Sequence, residues 1–211
     1  MMKTVNNAVS VLCLIAATFV IASLAHATED PQKLVVDTTN LMLNKLKQEK
    51  SALDKNPELV YDMVSTIVLP KFDFIKMSRW VLAKNWRKAS KEQKIRFIKA
   101  FRELMVRTYA VALLEYTDQK ITFLPLRDDL AKGDVTVRST VVQLDGQKIA
   151  INYSLHKHAK GWRVYDISVD GVSLVANYRT SFATDVKKIG LDGLIERLEK
   201  HNMKKQVKSD E

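Results

Sequence analysis

The sequence predicts an α+β domain, with helices of the N-terminal half laid on a curved antiparallel sheet of about four strands and helices again at the C-terminus. Three observations predict it. Between Pro31 and Tyr116 apolar residues recur at three- and four-residue spacing, the period of a helix face. Between Ile121 and Val169 they alternate, the period of a half-buried strand. After Gly171 the helical period returns.

Each element has its own signal. Pro31 opens a helix whose stripe is Leu34, Val35, Thr38, Leu41, Met42 and Leu46. Asn56-Pro57-Glu58 starts a second helix, with proline in its first turn, and Leu69-Pro70 ends it. Phe72 to Ala83 form a third, with Phe74, Met77, Val81 and Leu82 as its apolar face. Ser90-Lys91-Glu92-Gln93 is a capping box. Behind it runs the clearest helix, with a stripe of Phe97, Ile98, Phe101, Leu104, Met105, Tyr109, Ala112, Leu113 and Tyr116.

The strands are read at 121–126, 135–144, 148–156 and 162–169. Ile149, Ile151, Tyr153 and Leu155 alternate with Ala150, Asn152, Ser154 and His156, so one face is apolar and the other more polar. Asp145-Gly146 is a two-residue hairpin signal, and His158 to Gly161 make a second turn. The last three strands are therefore expected as an antiparallel meander. Leu174, Val175, Tyr178 and Phe182 share a helix face, and Leu191 to Lys200 make a final helix.

The ends are read separately. Lys3, an apolar run from Val9 to Ala25 and the small-x-small triplet Ala25-His26-Ala27 describe a cleavable export signal over residues 1–27, with an uncleaved membrane anchor as the rival reading. The single cysteine, Cys13, lies inside it, so residues 28–211 carry no thiol and no disulfide. Residues 28–200 are expected as one domain resting on its own core, and 201–211 as a disordered polar tail. The net charge is +10, from 34 Lys and Arg against 24 Asp and Glu. A basic exported chain points to anionic lipid or an acidic protein surface, with solubility from scattered surface lysine as the rival reading; export argues against nucleic acid.

Catalytic chemistry finds little support. His156 and His158 stand two apart without a carboxylate at ligand spacing, and read as solvated strand-end residues with no metal. Tyr165 and Asp166 are adjacent on a strand, so they face opposite sides unless a bulge intervenes. Ser173 lies outside any Gly-x-Ser-x-Gly elbow and reads as a helix cap. Trp86 and Arg87 read as cover for the gap between two helices. No glycine-rich phosphate loop or dinucleotide fingerprint is present, so no cofactor is expected.

In order and spacing, two groups of residues resemble one known family. The first is Phe74, Val81, Leu82, Trp86, Ala89, Gln93, Phe97, Phe101, Tyr109, Leu113 and Tyr116. The second is Trp162, Val164, Tyr165, Asp166, Gly171, Ser173, Leu174, Asn177, Tyr178, Arg179, Phe182, Gly190, Leu191 and Leu194. Together they span about Gln32 to Lys200 and are similar to the MlaC family, the periplasmic phospholipid carriers also called toluene-tolerance proteins. Ala83 departs from the family, where a glycine is usual.

The resemblance implies a cone like that of the NTF2 fold, with an apolar cavity. It implies a monomeric, non-enzymatic periplasmic shuttle whose cargo is a diacyl phospholipid. The partners implied are an outer-membrane Mla lipoprotein complex and an inner-membrane Mla ABC transporter complex with its MCE-type substrate-binding subunit, and the role implied is upkeep of outer-membrane lipid asymmetry.

Stripes and alternation nominate the acyl-chain contacts. They are Leu104, Tyr109 and Leu113 on the long helix, Val137, Val141, Ile149, Ile151 and Tyr153 on the sheet, and Val169, Val172 and Val175 at the closing helix. Ordinary core is the rival reading for each. Arg179 is the candidate for the headgroup phosphate, against a surface or carboxylate-paired arginine. Two other classes compete: a cone-shaped enzyme acting on an apolar small molecule, and a ligand-free periplasmic interaction module with a dry core.

Overall fold

The computed structural model describes residues 30–116 and 118–207. The expected export signal over 1–27 lies outside the described residues, as do 208–211.

The helical half forms as the spacing requires, with local changes of winding. Helix α1 (Pro31–Gln48) starts where Asp30 Oδ1 accepts from the backbone N–H of Gln32 at 2.8 Å. It buries Leu34, Val35, Met42 and Leu46, while Leu41 faces solvent. After α2 (Lys50–Lys55), the second predicted helix splits into α3 (Leu59–Met63), a π turn (Val64–Val68) and a 3-10 turn (Leu69–Lys71). The β-branched run Thr66-Ile67-Val68 crowds an α turn, and Pro70 then removes a donor. Helix α4 (Phe74–Leu82) is capped by Asp73. It stops at Ala83, which holds φ 47° and ψ −116°, a conformation that favours glycine. Helix α5 (Lys84–Lys88) leads to the predicted capping box. There Gln93 N–H donates to Ser90 Oγ at 3.1 Å and Ser90 N–H to Gln93 Oε1 at 2.9 Å. Behind the box, α6 (Lys91–Tyr109) ends earlier than its stripe. Leu113 follows on a 3-10 turn and still packs against the cluster of Met42 and Leu46.

Five strands, rather than about four, make an open antiparallel meander in the order β1 to β5. They are β1 (Lys120–Phe123), β2 (Asp134–Val142), β3 (Lys148–His158), β4 (Gly161–Val169) and β5 (Val172–Ser173). Strand β1 stops before Pro125, which has no N–H for the ladder. The two-residue hairpin expected at Asp145-Gly146 is a three-residue loop, closed by Gln143 N–H donating to Gln147 O at 2.8 Å. Gly146 alone takes positive φ there, whereas a type I′ turn needs it at both central residues. That condition is met at Asp170 (φ 47°) and Gly171 (φ 82°), which turn β4 into the short β5.

Helix α7 (Leu174–Val207) is broken at Gly190, whose φ of 72° and ψ of 175° re-aim the chain. The second segment runs past Lys200, where a disordered tail is expected from sequence. Asn202 is buried, and its Nδ2 donates to Ala100 O at 3.0 Å, which fixes this turn against α6.

The core forms three clusters. One joins α4, α6 and α7 around Phe97, Phe101, Phe182 and Leu194. A second joins the C-terminal half of α1 to α3 and the end of α6. The third lies between the N-terminal half of α1 and the sheet. Phe72 and Phe74 bridge them.

Candidate functional site

Directly paired residues of an antiparallel sheet share a face, so the register lays out one side of this sheet in four rows. The first row is Val135, Leu155 and Val164. The second is Val137, Tyr153 and Ile167. The third is Phe123, Ser139, Ile151, Val169 and Val172. The fourth is Ile121, Val141 and Ile149.

Burial falls along these rows. The first is fully buried, with Leu155 at 0% exposure and Val164 at 3%, under Leu34 and Val35 of α1. The second is still in contact with α1. There the Tyr153 hydroxyl lies beside those of Ser139 and Thr39, and burial raises its pKa above the usual phenol value. Ser139 Oγ donates to Ile151 O at 2.9 Å. Beyond this hydroxyl belt α1 leaves the sheet, since Met42 and Leu46 belong to the cluster with α3. Ile121, Val141, Ile149 and Ile151 are half-buried, Val169 and Val172 are exposed, and none of the six joins a core cluster. One end of the apolar face is therefore dry core and the other is left open.

The predicted contact residues divide accordingly. Leu104 and Val175 sit in the helical core, Val137 in the sheet core, and Leu113 and Tyr153 pack at cluster edges. Val141, Ile149, Ile151, Val169 and Val172 line the open end. Tyr109 is 37% exposed at the end of α6 and hydrogen-bonds with Tyr178 of α7. Burial, with that bond, pushes its pKa up. Arg179 is exposed on α7, one turn past Val175, and makes no ion pair among the described residues. Sequence reasoning left out Ile121 and Phe123. Their signal was the alternation of β1 read together with its pairing to β2.

The other candidates are occupied. A bulge does occur in β4: Ser154 pairs with Asp166 and Leu155 with Val164, leaving Tyr165 as the extra residue. The Tyr165 ring lies 5.4 Å from that of Trp80 and 5.8 Å from that of His156, and Lys76 Nζ sits 4.0 Å from its centroid. Asp166 accepts from Ser173 Oγ at 2.5 Å and from the N–H of Val175 at 3.1 Å. Ser173 Oγ accepts from Ala176 N–H at 3.0 Å, the cap expected of it. The pair thus ties the start of α7 to β4. His156, read from sequence as solvated, is only 13% exposed, with Nε2 2.9 Å from Asp73 Oδ2. Burial lowers its pKa, the nearby Lys76 charge lowers it further, and Asp73 partly offsets both. His158 does stay exposed and accepts from Lys160 N–H at 3.1 Å. Among the described residues no three His, Cys, Asp or Glu side chains gather as a metal site, and no helix is long and apolar enough to cross a membrane.

A helix-covered antiparallel meander with one apolar end left uncovered defines the class of domain. Residues 36–200 match the sequence model described as MlaC protein, and the chain belongs to the MlaC family. It is 31% identical to the toluene tolerance protein ttg2D of Pseudomonas putida over 80% of this chain and 79% of that one. It is 25% identical to the intermembrane phospholipid transport system binding protein MlaC of Haemophilus influenzae over 90% of each. Its structure is similar to that of the phospholipid-binding protein from Ralstonia solanacearum, solved in complex with a phospholipid. The TM-score is 0.77 at 30% identity, covering 84% of this chain and 99% of that one.

Proposed function

We propose that this protein is a periplasmic phospholipid carrier, exported by cleavage after Ala27. It holds the acyl chains of a glycerophospholipid against the open end of the sheet face. The observation that carries this reading is the uncovered apolar end itself, on a fold shared almost end to end with a protein solved with a phospholipid bound. Sheet and helices form a cone-shaped holder, entered past Val169, Val172 and Tyr109. Val141, Ile149 and Ile151 line its wall, with Arg179 near the headgroup. The protein does no chemistry on its cargo, because Tyr165, Asp166, Ser173 and His156 are engaged in holding α4 and α7 to the sheet.

Energetics supports delivery to a partner rather than release into water. Burying a CH₂ is worth about 0.8 kcal/mol, so two chains of roughly 30 such groups give about 24 kcal/mol gross. That exceeds the practical affinity ceiling of about 18–21 kcal/mol, so ordering and desolvation offset part of it. Escape into water is still slow. The carrier therefore passes its lipid between an outer-membrane Mla lipoprotein complex and the MCE-type subunit of an inner-membrane Mla ABC transporter by docking, and so maintains lipid asymmetry. Equal rates of lipid transfer to vesicles with and without these partners would sink that step.

Native mass spectrometry of the protein purified without detergent, with lipid extraction alongside, tests the carrier reading. One diacyl phospholipid per chain is expected. Well-folded protein without ligand would instead make it an interaction module, and the open face a docking surface.

A further inference from the structure

The helical layer carries a second concavity, of about 330 Å³, that shares no residue with the sheet face. One wall is the α3 and π-turn segment, with Tyr61 and Ser65; the other is α6, with Lys99, Arg102 and Arg107. Arg107 is the unusual member. Its side chain is only 11% exposed. Nε donates to Glu103 Oε1 at 3.1 Å, and the guanidinium carbon lies 5.4 Å from the Tyr61 ring centroid. Nη1 is buried and has no acceptor. Buried charged donors in native proteins are paired, because an unpaired one carries its whole desolvation cost. Glu103 supplies that pairing, and Arg107 also lines the concavity.

Two further observations point the same way. The facing wall is a full π turn, a rare element found most often at functional sites. Lys99 and Arg102 are exposed beside Arg107, and neither makes an ion pair among the described residues. The carboxylates present are Glu103, already engaged by Arg107, and Asp62. Three cations around one recess exceed what these two acids neutralise.

We propose that this concavity binds an oxyanion of the phosphate class. Arg107, Lys99 and Arg102 supply charge from one helix, and the Ser65 hydroxyl donates from across the recess. A tetrahedral anion meets donors arriving from both walls better than a planar carboxylate does. The anion is free phosphate or the phosphate of a lipid headgroup at a membrane surface. The site stands independently of the carrier reading.

The test is NMR on the Arg107 Nε–Hε resonance of the intact folded protein. Sodium phosphate, glycerol 3-phosphate and vesicles containing phosphatidylglycerol are each titrated at constant ionic strength. A saturable shift with the soluble probes establishes the site for small phosphates. A shift with the anionic vesicles alone establishes it for lipid headgroups. In either case the exposed-site variant Lys99→Ala/Arg102→Ala weakens binding by about tenfold or more, and Arg107→Gln, followed on the Ser65 backbone amide because it lacks the arginine reporter, abolishes it. No saturable shift with any probe overturns the proposal, as does a double variant that titrates like the wild type. The diacyl lipid expected in native mass spectrometry is unchanged in the Lys99→Ala/Arg102→Ala variant, which separates this site from the carrier cavity.

Discussion

Leu155 and Ile151 stand four residues apart on one strand and face the same side of the sheet. Leu155 is sealed under α1, while Ile151 is half-buried and belongs to no core cluster. Their surroundings are built from the same residue types: Val135 and Val164 at one end, Val141, Ile149 and Val169 at the other. What differs is the cover. The N-terminal half of α1 and Phe72 close the first end, and α1 turns to the helical layer before it reaches the second. Apolar character thus stabilises the fold at one end and is left available for a ligand at the other.

Mutation at the two ends is the most direct way to break this comparison. The largest effect is expected from Ile151→Glu: loss of bound phospholipid by native mass spectrometry, in protein whose circular dichroism is unchanged. If the variant unfolds instead, the open end is ordinary core. Leu155→Ala is expected to do the reverse. It costs about 3 kcal/mol in urea denaturation, the usual range for a fully buried leucine, and the protein that remains folded keeps its lipid.

Smaller effects sharpen the boundary. Asp166→Asn weakens the tie between β4 and α7, at a cost of about 2 kcal/mol, and speeds lipid loss because α7 borders the open end. Unchanged retention in that variant would separate α7 from the holder. Ala83→Gly relieves a positive-φ alanine outside the sheet face and should stabilise by about 1 kcal/mol, with lipid occupancy unaffected. A destabilised variant would show that the Ala83 methyl contributes more than its backbone costs.

The smallest effect concerns pH. The pKa of His156 is lowered in the folded protein, mainly by burial, so the unfolded chain takes up the proton first as pH falls. The stability it contributes is complete above the unfolded value of about 6.5, and declines as pH drops from there through the folded value. His156→Gln should flatten a decline of under about 1 kcal/mol in melts recorded between pH 7.5 and 5. An unaltered slope would assign the acid sensitivity to other groups.

Sequence alone determined the types of the elements and most of their ends. The capping box at Ser90, the alternation of β2 to β4 and the cap at Ser173 are local, and local chemistry suffices for them. It also carried the family resemblance, which rests on order and spacing. It placed the turn at Asp145-Gly146 but misread its length, because the backbone angles that distinguish Asp145 from Asp170 depend on how the flanking strands pair. It read His156 as solvated, since nothing near it in the chain announces Asp73, 83 residues away. Tertiary structure alone decided which end of the apolar face is core and which is open. Alternation gives every row the same pattern, whereas burial depends on where α1 leaves the sheet, a choice made by contacts between distant segments.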